Sequence, residues 1–155
     1  MTDVVIEVPD RRAEIAYRNR RRQLESRDYK VMMATFGILA FSAFSNGAAG
    51  TMQLLGGSQL LLDAIIGMAL GALYAFGAYR VWIKDDLRKW FIILPASISL
   101  AMAALVWLFV GLPPVGAIAL NIALLVLIPI RAKSSRDLAA MPSNSFKPNP
   151  IRGSA

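Results

Sequence analysis

The sequence predicts an all-α integral membrane protein, a four-helix transmembrane bundle with an N-in/C-in topology. Three observations predict it. Of 155 residues, 56% are hydrophobic and only 17% charged, yet the net charge is +7; soluble domains carry roughly a quarter of their residues as charges. The two properties are segregated along the chain: residues 31–62 and 64–79 are uncharged, and 90–130 is an uncharged run of 41 residues. A hydrocarbon core of about 30 Å needs roughly 20 apolar residues per crossing, so that run holds two helices. Third, with spans near 31–49, 59–81, 90–111 and 114–130, all 17 Lys and Arg residues fall on one side. The positive-inside rule makes that side the cytoplasm. Aromatic residues agree, with Tyr29, Tyr79, Trp82 and Trp90 at the inner boundary and Trp107 near the outer one, where amphipathic rings prefer to sit.

Residues 1–30 form a basic cytoplasmic N-terminal arm with eight basic and six acidic side chains. Pro9-Asp10 marks a helix start, with Asp10 as N-cap and Glu14 in the first turn. Ala13, Ile15, Ala16, Tyr17 and Leu24 are the few apolar residues among the arginines, so the amphipathic signal is weak. The plain reading is an orientation signal on a solvated, partly helical arm. The functional reading is an interfacial helix that grips anionic lipid or an acidic partner through Arg18, Arg20, Arg21 and Arg22. Nucleic acid is not an expected partner, because no recognition module accompanies the charge.

The first span, 31–49, ends at Asn46-Gly47-Ala48-Ala49-Gly50, and the reversal extends through Gly56-Gly57-Ser58. Its rival is a cleaved secretory signal, to which Arg21-Arg22-Gln23-Leu24 would lend a twin-arginine flavour. Glu25, Arg27, Asp28 and Lys30 directly before the apolar run count against cleavage, since such leaders pass quickly from basic residues to the apolar region.

The second span, 59–81, holds Asp63, which lies about one turn inside the outer boundary. An intramembrane carboxylate is a candidate ion or proton site. So near the interface, however, it can also reach water and favour the positive end of the helix dipole. Gly67 and Gly71 form a GxxxG pair, extended in steps of four to Asp63, Ala75 and Tyr79. Small residues let apolar helices approach closely in lipid, so Gly67, Gly71 and Ala75 are expected packing positions.

The loop 82–89 is charged, with Asp85 and Asp86 beside Arg88 and Lys89. The third span, 90–111, contains Pro95 one turn in, where it bends the helix or occupies its unbonded first turn. Gly111-Leu112-Pro113-Pro114-Val115-Gly116 then reverses the chain. The fourth span, 114–130, is the shortest, with a re-entrant segment as its alternative. Ala119 and Ala123 are its packing positions. Asn46, Ser97, Ser99 and Asn121 are available for interhelical hydrogen bonds, worth about 0.6 kcal/mol each. Residues 131–155 read as a flexible cytoplasmic tail rich in Ser, Pro and Asn.

With neither cysteine nor histidine, disulfides, Cys/His metal sites, thiol nucleophiles and His-based triads are excluded. Five of the seven methionines, Met32, Met33, Met52, Met68 and Met102, lie in or beside the apolar segments; they lack paired spacing for a soft metal and read as gap fillers. No glycine loop is followed by Lys-Ser/Thr, as a phosphate cradle requires. No cofactor, metal or enzymatic activity is therefore expected. The length and span number invite comparison with small multidrug transporters, which are organised around a glutamate in the first span; this first span has no acidic residue, and the comparison fails there.

The expected function is that of a non-catalytic accessory, scaffold or assembly subunit of a larger membrane complex, packing through small-residue helix faces. Its partners would be membrane lipids and other membrane subunits, or further copies of itself. The alternative is a homo-oligomeric small channel, transporter or holin-like pore that uses Asp63. Compactness and an alanine-rich composition favour the bacterial cell inner membrane, with both termini cytoplasmic.

Overall fold

The computed structural model describes residues 11–56, 61–83 and 90–141. They form four helices: α1 (Arg11–Leu55), α2 (Leu61–Ile83), α3 (Trp90–Val110) and α4 (Val115–Ala139). Each is long and apolar enough to cross a membrane. The Asp10 cap, the Gly57-Ser58 part of the first reversal, the 84–89 loop and the tail from residue 142 lie outside the described residues.

Short connections make successive helices antiparallel neighbours. Contacts run α1–α2, α2–α3, α3–α4 and α4–α1, the first being by far the most extensive, so α1 lies diagonal to α3 and α2 diagonal to α4. Leu39, Leu70, Tyr74, Val81, Ile92 and Leu124 form the buried centre.

Two boundaries differ from those read in the sequence. α1 does not turn at Asn46–Gly50 but stays helical to Leu55. Glycine signals both turns and close packing, and here packing wins: a Cβ on Gly50 would lie 2.7 Å from the Ala64 carbonyl oxygen of α2, and one on Gly71 would lie 2.8 Å from the Gly47 nitrogen. Likewise α4 does not end at Ile130 but continues to Ala139. Arg131 and Ser134, assigned by sequence to the tail, are buried, and Arg131 lies against Asp28 of α1.

The turn between α3 and α4 follows the sequence. Gly111 has φ 78°, and its N–H donates to the Trp107 carbonyl at 3.0 Å. This is the left-handed helix end that glycine adopts without a Cβ penalty. Pro114 then precedes the first residue of α4, and its carbonyl accepts from the Ile118 N–H at 3.1 Å. Pro95 is fully buried inside α3. Lacking an N–H, it cannot bond the Phe91 carbonyl four residues back. That carbonyl faces Gly77 of α2, where an added Cβ would lie 3.1 Å from it.

Candidate functional site

Among the described residues, three groupings of polar side chains are the most extensive: a buried network at the centre, a joint between α1 and α4, and the basic N-terminal half of α1.

The central network joins three helices. Tyr74 on α2 directs its hydroxyl at Asn121 Oδ1 on α4 and at the Pro95 carbonyl on α3, the latter at 3.2 Å. Asn121 Nδ2 donates to Ser99 Oγ at 3.0 Å and to its own helix at the Ala117 carbonyl, 2.8 Å away. Both amide protons and the amide oxygen of Asn121 are thereby used. The tyrosine is long enough to bridge the diagonal between α2 and α4, whose backbones do not come close. Of the four polar residues singled out in the spans, Ser99 and Asn121 are brought together. Asn46 donates to the Ser42 carbonyl of its own helix, and Ser97 is exposed. Tyr74 was missed by sequence reasoning. The available signal was a phenol in the middle of an uncharged span, where a buried O–H needs a partner.

Gly67 and Gly71 pack within the chain. Gly71 is buried against Gly47, and a Cβ on Gly67 would meet the Gly50 Cα at 3.2 Å. Ala75 and Ala119 are exposed, and Ala123 is half-buried. Asp63 and Tyr79, the ends of the same extended stripe, are also exposed. Steps of four residues advance 400° and drift 40° each time, which carries a long stripe off the contact face. The observed seam runs Ala64, Gly67, Gly71, Tyr74, Ala78, Val81, alternating steps of three and four as interlocking helices require. Asp63 lies in the first turn of α2, on the outer surface of the bundle.

At the opposite end of the bundle, Asp28 of α1 accepts from Ser135 Oγ of α4 at 3.3 Å and lies 3.9 Å from Arg131 Nε. Arg131 is only 3% exposed. On α2, Arg80 stands over the Phe91 ring at 5.0 Å and the Phe76 ring at 6.0 Å, an attraction between cation and ring quadrupole. Neither Asp28 nor Arg131 was singled out by sequence. Their pairing spans more than 100 positions and has no local signature.

The four arginines expected to act together do not share a face. Arg18 pairs with Glu14, and Arg21 Nε donates to Glu25 at 2.9 Å. That hydrogen bond raises the Arg21 pKa. Arg20 and Arg22 are exposed, and at 100° per residue they point to nearly opposite sides. Arg22 instead joins Gln23, Ser26, Arg27, Lys30 and Val31 around a groove of about 490 Å³.

Among the described residues there is no group of three or more carboxylates able to hold a metal ion. No protein-family model matches the chain, and no curated protein or solved structure matches it.

Proposed function

We infer that the chain is an integral membrane protein with both termini in the cytoplasm, and that it serves as a non-catalytic accessory or scaffold subunit of a larger membrane complex. Its setting is a cell membrane, of bacterial inner-membrane type. Insertion is supported by the four apolar helices, and orientation by the confinement of the 17 basic residues to the sequence segments 1–30, 80–89 and 131–155.

One observation carries the scaffold reading. α1 runs without a break from Arg11 to Leu55, about 67 Å at 1.5 Å per residue. Its basic half is thus a rigid extension of the first span, and the Asp28 contacts with Arg131 and Ser135 brace it against α4. An orientation signal needs only charge; a braced helical arm also presents side chains at fixed positions to a cytoplasmic partner. The polar groups at the centre of the bundle are occupied in joining helices, which fits a structural core better than a catalytic one. Exposed Asp63 would line a passage only in an assembly of several copies, and that is the form the pore alternative takes.

The test is native mass spectrometry of the full chain after purification in mild detergent. A foreign subunit at fixed stoichiometry, released by charge reversal at exposed Arg18 and Arg20, is the expected result. A homo-oligomer without foreign subunits overturns the scaffold reading. Cation or proton flux in proteoliposomes, lost on Asp63→Asn, would then establish the pore.

A further inference from the structure

The geometry points to a binding site for the phosphate of an anionic glycerophospholipid in the groove at the base of the α1 arm. The groove is lined by Arg22, Ser26 and Lys30 on one four-residue row of the helix and by Gln23, Arg27 and Val31 on the next. All of its lining side chains but Val31 are exposed, so it is an open, shallow face of α1 that a headgroup can approach from the side. Three cations and two neutral donors border it. The two acids of the same stretch are turned elsewhere: Glu25 accepts from Arg21, and Asp28 faces Ser135 and Arg131. The groove is therefore strongly positive although residues 1–30 as a whole are nearly balanced, with eight basic and six acidic residues.

Position selects a lipid over a soluble acidic segment. Val31 opens the uncharged stretch of α1 and forms one wall of the groove, so a ligand there has its charged part among Arg22, Arg27 and Lys30 and its apolar part against the first span. Tyr29 is exposed beside the groove. Trp82 packs on Phe36 with ring centroids 4.8 Å apart, about 9 Å further along α1 than Lys30. Such rings settle at the headgroup level of a bilayer, which places Lys30 just beyond it, with Arg27 and Arg22 about 14 and 21 Å from Phe36 along the helix, on the approach to a phosphate. The inference rests on membrane insertion with this end in the cytoplasm, and it is independent of the scaffold reading because it needs no protein partner.

The experiment uses the full chain in nanodiscs of phosphatidylcholine containing a minor fraction of phosphatidylglycerol, with retained lipids counted by native mass spectrometry. The wild type is expected to hold phosphatidylglycerol preferentially. Arg22→Gln/Arg27→Gln/Lys30→Gln should lower that preference roughly 10- to 100-fold, given the contribution of each basic residue near a membrane surface. Arg11→Gln/Arg18→Gln/Arg20→Gln removes the same charge outside the groove and should retain the preference. The single variants Arg27→Gln and Lys30→Gln, checked for helicity by circular dichroism, should each show part of the loss. Equal losses in the two triple variants would reduce the effect to general attraction and overturn the site. Absence of a preference in the wild type would do the same. Displacement by millimolar inorganic phosphate, or by an acidic peptide at low concentration, would replace the lipid with that ligand and overturn the assignment too.

Discussion

The α1–α2 seam and the centre of the bundle hold apolar helices together in opposite ways. Along the seam, side chains are removed so that backbones touch: Gly47 and Gly50 face Gly67 and Gly71, with Ala64 above them. At the centre, a polar network runs through an apolar core, and Tyr74 crosses the diagonal to Asn121, which in turn bonds Ser99. Apolar burial discriminates poorly between helices that are apolar nearly all round. Close approach and hydrogen bonding each provide a different selectivity. The first specifies which faces meet and at what register; the second specifies which three helices share a core. Each should fail in its own way when perturbed.

The largest effect is expected in the seam. Gly71→Leu drives a side chain into the Gly47 backbone and the Ala43 carbonyl, 2.8–3.1 Å from the new Cβ. Backbone cannot yield as a flexible side chain does, so a loss of about 3 kcal/mol or more is expected, read as a lowered Tm in detergent. Asn121→Leu should cost about 1–3 kcal/mol, because it keeps the volume but removes the bonds to Tyr74 and Ser99, leaving the Tyr74 hydroxyl only its longer bond to the Pro95 carbonyl. The double variant Tyr74→Phe/Asn121→Leu should recover part of that loss, and additive losses would show that the two side chains are not coupled. Arg131→Met should act locally, speeding hydrogen exchange at residues 131–139 while leaving α2 protected. Tyr74→Phe alone should cost only about 0.6 kcal/mol in lipid. Ala75→Leu, on the same helix as Gly71 but exposed, should change stability by less than about 0.5 kcal/mol. A large effect there would mean that a second chain covers this face.

The comparison also explains what could be read in advance. The four helices were legible because uncharged runs and charged breaks are one-dimensional properties, and residues 31–83 and 90–130 display them without any fold. Gly67 and Gly71 were legible as a contact pair, yet their partners were read as a turn. A glycine-rich stretch carries no mark that distinguishes the two uses until the helix opposite it is known. The stripe reaching Ala75 and Asp63 overextended a four-residue step that only holds for a turn or two. Asn121 and Ser99 were named as polar candidates, but Tyr74 was hidden by its apolar ring. Asp28 and Arg131 were invisible in principle, being ordinary charges that become a pair only when the first and last helices meet.

The topology underlying these readings has a convenient test. Because the chain has no cysteine, single cysteines introduced at exposed Arg20 and at exposed Met52 can be labelled cleanly in sealed vesicles. Reagent from the cytoplasmic side should reach position 20 and spare position 52, and the reverse pattern would invert the orientation.

The unbroken course of α1 also makes the arm sensitive to phase. Each residue added between Lys30 and Val31 would rotate everything before it by 100° and move it about 1.5 Å along the axis. One inserted alanine would swing Arg22 and Arg27 a quarter-turn or more around α1 and pull Asp28 out of line with Arg131 and Ser135. Seven would restore the angle to within about 20° while displacing the arm by about 10 Å. The charged residues and the net charge stay the same throughout such a series. Any property that rises and falls with its period belongs to the direction in which the arm points.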